Sequence, residues 1–230
     1  MLVSSWRRKE KTRAEVPKTA PFDAYYERYE EWFERNHLVY RSEVEALRAL
    51  VPPDGLGVEV GVGSGRFAVP LGVKLGVEPS VKMAAIARAR GIDVVSGTGE
   101  ILPLKSEFFD YVLMVTTICF LDDISASFRE VFRILKPQGK FIIGFIDAAS
   151  KLGREYERNK EKSVFYRFAA FFSVDEVVSI AREAGFEIES CAQTLFAGSL
   201  GIEDVEPVRE GHGEGAFVGL RAVKRPKHTT

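Results

Sequence analysis

The segment Glu59-Val60-Gly61-Val62-Gly63-Ser64-Gly65 joins an acid to three glycines at alternate positions. It continues a short apolar run and leads into Arg66-Phe67, the pattern of a strand, a tight turn and a helix start. Glycines let a backbone turn sharply and approach a ligand, and a helix start offers unpaired N–H groups. The spacing bears on which ligand. A dinucleotide fingerprint, Gly-x-Gly-x-x-Gly, would need its third glycine at position 66, where Arg66 stands. Seventeen positions after Gly61, at the end of the next apolar run, comes Glu78. A carboxylate in that place accepts hydrogen bonds from both hydroxyls of a ribose. Nucleoside binding is the chemistry these residues suit.

Other chemistry-bearing residues are weaker. Tyr156-x-x-x-Lys160 matches a short-chain dehydrogenase pair, but the glycine pattern that accompanies such a pair is missing. Cys119 falls at a strand end and reads as packing rather than as a nucleophile. His37, His212 and His228 have no ligand spacing among themselves, so no metal is expected. His212 lies in the glycine-rich stretch 210–215, a loop able to reach a cleft. Tyr25 and Tyr29 lie on an aromatic stripe that could face a ligand or the core.

The elements that position these residues follow from periodicity. Aromatic residues at three- and four-residue steps predict one amphipathic helix over 22–33, and a second runs from 42 to 50, before Val51-Pro52-Pro53. Strands are then expected at 57–60, 75–77, 93–96, 111–115 and 140–146, with helices at 66–71, 81–90 and 124–135 between them. Short apolar strands alternating with helices predict a parallel sheet covered on both faces. Ser173-Val174-Asp175-Glu176 opens a last helix as a capping box. Strands at 187–196 and 216–224 follow without a helix between them and must be antiparallel.

At this point the chain resembles the class I S-adenosylmethionine-dependent methyltransferases, of the methyltransferase type 11-like subgroup. The likeness rests on several blocks in order: Glu59-x-Gly61-x-Gly63-x-Gly65, Glu78-Pro79-Ser80-x-x-Met83, and Gly97-Thr98-Gly99-Glu100-x-Leu102-Pro103-Leu104. Phe109-Asp110-x-Val112 and Arg133-x-Leu135-Lys136-Pro137-x-Gly139-Lys140 extend it, and Ala184-Gly185-Phe186 matches the end of the last helix. The resemblance implies an α/β, Rossmann-like seven-stranded sheet, mostly parallel with an antiparallel C-terminal strand pair, helices on both faces and an N-terminal helical lid. It implies S-adenosyl-L-methionine as cofactor and S-adenosyl-L-homocysteine as product. By position, Gly61, Gly63 and Gly65 would form the loop at the methionine part, with Glu59 supporting its amino group. Glu78 and Pro79 would meet the ribose, Met83 the adenine face, and Thr98, Gly99 and Glu100 the adenine edge. Thr116 and Thr117 would lie near the sulfonium.

The sequence departs from the family in three places. The family usually has Asp where Thr98 stands, and a hydroxyl accepts a hydrogen bond without charge. A His-His pair common after the fourth strand is replaced by Cys119-Phe120, which removes a titratable base. The first crossover has Pro70 inside it and only ten residues between Gly65 and Gly76. No general base is assigned. Tyr25, Tyr29, His37, Phe120 and His212 are the candidates for the acceptor pocket, with Asp122 a further candidate base.

Length and composition bound the rest. The 230 residues, 46% hydrophobic and 28% charged, suit a globular α/β domain. The net charge of −1 argues against a polyanion binder, and no apolar run reaches membrane-spanning length. Six basic residues within 1–20 read as a flexible terminus; the Arg7-Arg8 pair lacks the apolar segment of an export signal. Two cysteines point to a reducing, cytoplasmic compartment. The expected layout is a helical cap at 21–54, a cofactor core at 55–146, an acceptor-side insertion at 147–172 and a closing unit at 173–225. The expected reaction is methyl transfer to an O, N or C atom of a small molecule, the alternative being a non-catalytic sensor or scaffold. No nucleic acid and no membrane partner is expected, and a homodimer is allowed.

Overall fold

A computed structural model describes residues 19–225; the basic stretch before Thr19 lies outside the described residues. The chain opens with helices α1 (Ala20–Ala24), α2 (Tyr26–Arg35) and α3 (His37–Arg48). The stripe expected to form one helix over 22–33 is therefore bent at Tyr25, whose φ of −123° and ψ of 31° leave the helical region. On either side of the bend backbone bonds remain, Tyr25 N–H to Pro21 O and Tyr29 N–H to Tyr25 O.

The sheet comprises β1 (Gly57–Val60), β2 (Leu75–Val77), β3 (Asp93–Val95), β4 (Phe109–Val115), β5 (Leu135–Ile146), β6 (Phe186–Thr194), β7 (Arg209–Glu210) and β8 (Phe217–Lys224). Helices α4 (Val81–Ala89), α5 (Ile124–Ile134), α6 (Lys151–Asn159) and α7 (Val174–Glu183) complete the order. Strand order is β3-β2-β1-β4-β5-β8-β6-β7. Pairs from β3 through β5 are parallel, while β8 lies antiparallel between β5 and β6. The expected architecture holds, with eight strands rather than seven. The extra one, β7, pairs with β6 over just two residues and is too short to leave a period in the sequence.

Both faces of the sheet are covered, and the alternation of β4 shows how. Leu113 and Val115 pack on one side with Leu47 and Phe217; Val112 and Met114 pack on the other with Phe128, Phe141 and Val177. Side chains on opposite faces at successive positions, all apolar, are what a doubly covered strand requires.

The helix expected at 66–71 does not form; residues 66–72 are hydrogen-bonded turns. Pro70 has no N–H, so it cannot complete an i→i−4 bond to Arg66 O. The Tyr40 hydroxyl, from α3, donates to Arg66 O instead. Tyr40→Phe should leave that carbonyl unpaired and lower stability by about 1–2 kcal/mol in urea unfolding. Unchanged stability would show that the hydroxyl does not hold the crossover.

A second local departure is at Lys136-Pro137-Gln138-Gly139, which falls between the helix expected at 124–135 and the strand expected at 140–146. The segment lies within β5 as a bulge: Phe109 pairs with Leu135 but Tyr111 pairs with Lys140, and Gln138 adopts a φ of 66°. Extra residues on one strand of a pair have to loop out to keep the register beyond them.

Candidate functional site

Parallel strands β1, β2 and β4 all end on one edge of the sheet, and β1 lies between the other two. Chain direction therefore splits outward from β1, and such a switch point opens a crevice beyond the strand ends. Gly61, just past β1, has a φ of +71° and donates its N–H to Val77 O at 2.8 Å. A Cβ there would come within 2.4 Å of Thr117 Cγ2, so a side chain is excluded both by conformation and by space. Thr117, past the end of β4, donates its hydroxyl to Val115 O at 2.9 Å. Its neighbour Thr116 holds a φ of 49°, which is costly for a β-branched residue, and donates its N–H to Gly144 O. The turn after β4 is thus pressed against the glycine loop.

Glu78 ties this loop to α4. Its Oε2 accepts the Gly63 N–H and its Oε1 accepts the Ser80 N–H, both at 2.8 Å. The residue is 8% exposed, and burial raises its carboxyl above the ordinary value, partly offset by those two bonds. Each carboxylate oxygen has two lone pairs, so two acceptor positions stay open toward the cleft. Ser80 caps α4 through Met83 N–H, and Met83 is buried with its Cε beside Gly63. Glu59, in contrast, stands behind the wall. It is fully buried, Oε2 has no hydrogen-bond partner, and burial followed by repulsion from Glu78 raises its carboxyl well above the usual range. Gly65 is also off the wall, packed on Ala87 and Ile92.

On the other side of the cleft, Thr98 pairs with Ile101 in an isolated bridge. Gly99 is confined, since a Cβ would meet Ser127 Oγ at 2.7 Å. Glu100 faces the cleft but is already engaged, accepting the Asp122 N–H at 2.8 Å.

The cleft is one cavity of about 820 Å³. Gly61, Gly63, Glu78, Pro79, Met83, Thr98, Gly99, Glu100, Thr116 and Thr117 all line it, as do Tyr29, Phe120 and Asp122. Tyr25, His37 and His212 do not; all three are exposed, Tyr25 at 48%. The bend at Tyr25 turns that ring out of the stripe. Phe22 roofs the cavity by edge contacts with Tyr29 and Phe120 at 5.9 and 5.1 Å and by a tilted contact with Phe165 at 5.4 Å. Two carboxylates hold this roof on the core. Asp23 accepts the Ser80 hydroxyl at 2.6 Å, and Glu30 accepts from both Arg66 and Arg90.

Several wall residues were missed from the sequence: Trp32, Glu43, Phe165 and Tyr166. They come from helices and turns distant in sequence from the glycine loop, and no motif marks them. Tyr156 also lines the cavity, but Lys160 binds Glu157 and Ala169 O, so the dehydrogenase-like pair is not assembled. Cys119 is buried, its thiol donating to Thr116 O and pushed up to about 12 by burial, so it is packing. Among the described residues no group of His, Cys, Asp or Glu could hold a metal, and no helix is long and apolar enough to cross a membrane.

Comparison with known proteins agrees with this geometry. A methyltransferase domain family matches residues 58–143. An uncharacterized protein of Methanocaldococcus jannaschii is 46% identical over 203 residues, 88% of this chain and 98% of its own. A crystal structure of an S-adenosylmethionine-dependent methyltransferase from Thermotoga maritima, called a possible histamine N-methyltransferase, is 53% identical with a TM-score of 0.88. That match covers 90% of this chain and all of the other. A demethylmenaquinone methyltransferase of a Roseiflexus species is 32% identical over 108 residues, 42% of this chain and 44% of its own. The chain belongs to the class I S-adenosylmethionine-dependent methyltransferases, and S-adenosylmethionine is its cofactor.

Proposed function

We propose that the protein transfers the methyl group to a small molecule held under the aromatic roof, next to the glycine loop. The observation that carries this reading is the shape of the cleft. The wall containing Gly61, Gly63 and Glu78 continues without a break into one lined by Trp32, Tyr156 and Tyr166. A volume of about 820 Å³ is in the range of cofactor and small-molecule sites, about 300–1,000 Å³.

In this reading the open lone pairs of Glu78 take the ribose hydroxyls, and Met83 lies against the adenine beside Thr98 and Gly99. The positive φ of Gly61 and Gly63 keeps backbone, not side chain, facing the methionine part. Two observations favour the fit. Gly61, Gly63 and Glu78 line one cavity, and the Glu78 carboxylate keeps two acceptor positions beyond its bonds to the Gly63 and Ser80 N–H groups. Bound there, the sulfonium supplies an already activated methyl group. The chain's task is then to bring the acceptor in line and exclude water. Phe22, Phe120 and Phe165 do the second, and Thr116 and Thr117 border the place where the first must happen.

A nitrogen acceptor is favoured over a quinone carbon. The relative called a possible histamine N-methyltransferase matches nine tenths of this chain, whereas the demethylmenaquinone enzyme matches under half. Two measurements test the proposal. In calorimetry S-adenosylhomocysteine should bind and NAD should not. With labelled S-adenosylmethionine and fractionated metabolites, label should appear in a small basic fraction. Binding of NAD in place of S-adenosylhomocysteine, or label confined to protein or nucleic acid, would overturn it.

A further inference from the structure

We propose that Glu43 receives a protonated amine of the methyl acceptor, which makes the acceptor class small amines carrying an apolar or aromatic body. The inference rests on the proposed small-molecule, nitrogen-acceptor reading and goes beyond it in naming the residue that recognises the charge and the apolar or aromatic body beside it. Glu43 projects from α3 into the cavity wall, is 4% exposed, and forms no ion pair or hydrogen bond among the described residues. A carboxylate buried without a partner is costly, and an incoming cation would offset that cost. Its neighbours suit an organic cation. The Tyr156 and Tyr166 rings stack at 5.4 Å, and Tyr166 stacks on Phe120 at 5.8 Å. Phe120 follows Thr117, its N–H bonded to Thr117 O, so this column of rings leads from the end of β4 toward Glu43. Aromatic faces beside a carboxylate attract ammonium groups by quadrupole as well as by charge.

The other charges of the cavity point the same way. Its buried ionisable side chains with a formal charge are carboxylates, Glu43 and Glu78, while Arg28 and Arg35 line it from exposed positions. Anionic acceptors, such as carboxylates or phosphates, would find no buried cation among the described residues that line it. The titratable groups facing Glu43 are Tyr40 on its own helix, Tyr156 on α6 and Tyr166 in the turn of residues 166–168. Burial raises all three hydroxyls above their usual range, so they remain neutral. Burial alone pushes the Glu43 carboxyl up to about 8. In the empty cavity at pH 7 it is mostly protonated, and an arriving cation favours the ionised form. Amine binding should therefore release close to one proton at pH 7.

The test is calorimetry on protein saturated with S-adenosylhomocysteine, using 2-phenylethylamine, 2-phenylethanol and phenylacetate as probes of similar shape. The wild-type protein should prefer the amine over the alcohol and the acid by about 10–100-fold, the range of a hydrogen bond to a charged group. Titrations in buffers of different ionisation enthalpy should show the released proton. Glu43→Gln should bind S-adenosylhomocysteine as before, while losing both the preference and the proton release; Glu43→Asp should keep part of each. A wild-type protein without preference for the amine, or a Glu43→Gln protein that retains it, overturns the proposal. Failure of the wild type to bind S-adenosylhomocysteine would strike the underlying cofactor geometry instead.

Discussion

Glu78→Ala is expected to weaken S-adenosylhomocysteine binding by about 100-fold or more in calorimetry. Two charge-assisted bonds to the ribose would be lost, each contributing about 1.5–3 kcal/mol. The same change frees the Gly63 and Ser80 N–H groups that the carboxylate now holds at 2.8 Å. The glycine loop and the start of α4 would lose their common anchor, so preorganisation falls along with direct contact. Glu78→Gln separates the two effects. One amide oxygen can still accept a backbone N–H, but the amide nitrogen cannot accept a hydroxyl, so affinity should fall less than with Ala. Unchanged affinity in Glu78→Ala would remove the ribose role.

Glu30→Ala should cost about 1–3 kcal/mol of stability at neutral pH, because it removes from a part-buried ion cluster the carboxylate that Arg66 and Arg90 share. Glu30 Oε2 accepts from Arg66 Nη2 at 2.6 Å and also from Arg90, and Glu30 is itself 19% exposed. Arg66 stands at the end of the glycine loop and Arg90 at the end of α4, where it also donates to Ser64 O. The variant should therefore loosen the roof as well as the fold, with faster hydrogen exchange across α1 and α2. The pH dependence has a defined sign. Burial acts to raise the Glu30 carboxyl, but the bonds from Arg90 and Arg66 outweigh it and hold it below the ordinary 4.5. The stabilisation is thus complete above 4.5 and disappears as pH falls through the lowered folded value. Wild type and variant should differ most at pH 7 and converge in acid. A constant difference across pH would assign the effect to packing.

The parts of the molecule that could be read from the sequence were those encoded by near neighbours. Gly61, Gly63 and Glu78 are placed by a strand, a turn and a second strand within twenty residues, and the antiparallel β6–β8 pair follows from the missing crossover helix. What escaped depends on distant contacts. The turn at 66–72 takes its form from Pro70 together with the hydroxyl of Tyr40, twenty-six residues earlier than Arg66. Glu43 looks in the sequence like one more acid on an amphipathic helix, flanked by Ser42 and Val44. Its burial appears when α3 is laid against β5, β6 and β8, a packing that no periodicity announces. His37 and His212 carry the chemistry of a base, yet exposed positions, at the start of α3 and in a loop, take them away from the cavity.

The most direct test is a crystal structure of the wild-type protein with S-adenosylhomocysteine. The ribose hydroxyls should lie on Glu78, the adenine beside Met83 and Thr98, and the sulfur should face the space between Thr117 and the stacked rings of Phe120, Tyr166 and Tyr156. A nucleoside bound elsewhere, or a sulfur turned away from that ring-lined space, would contradict the account.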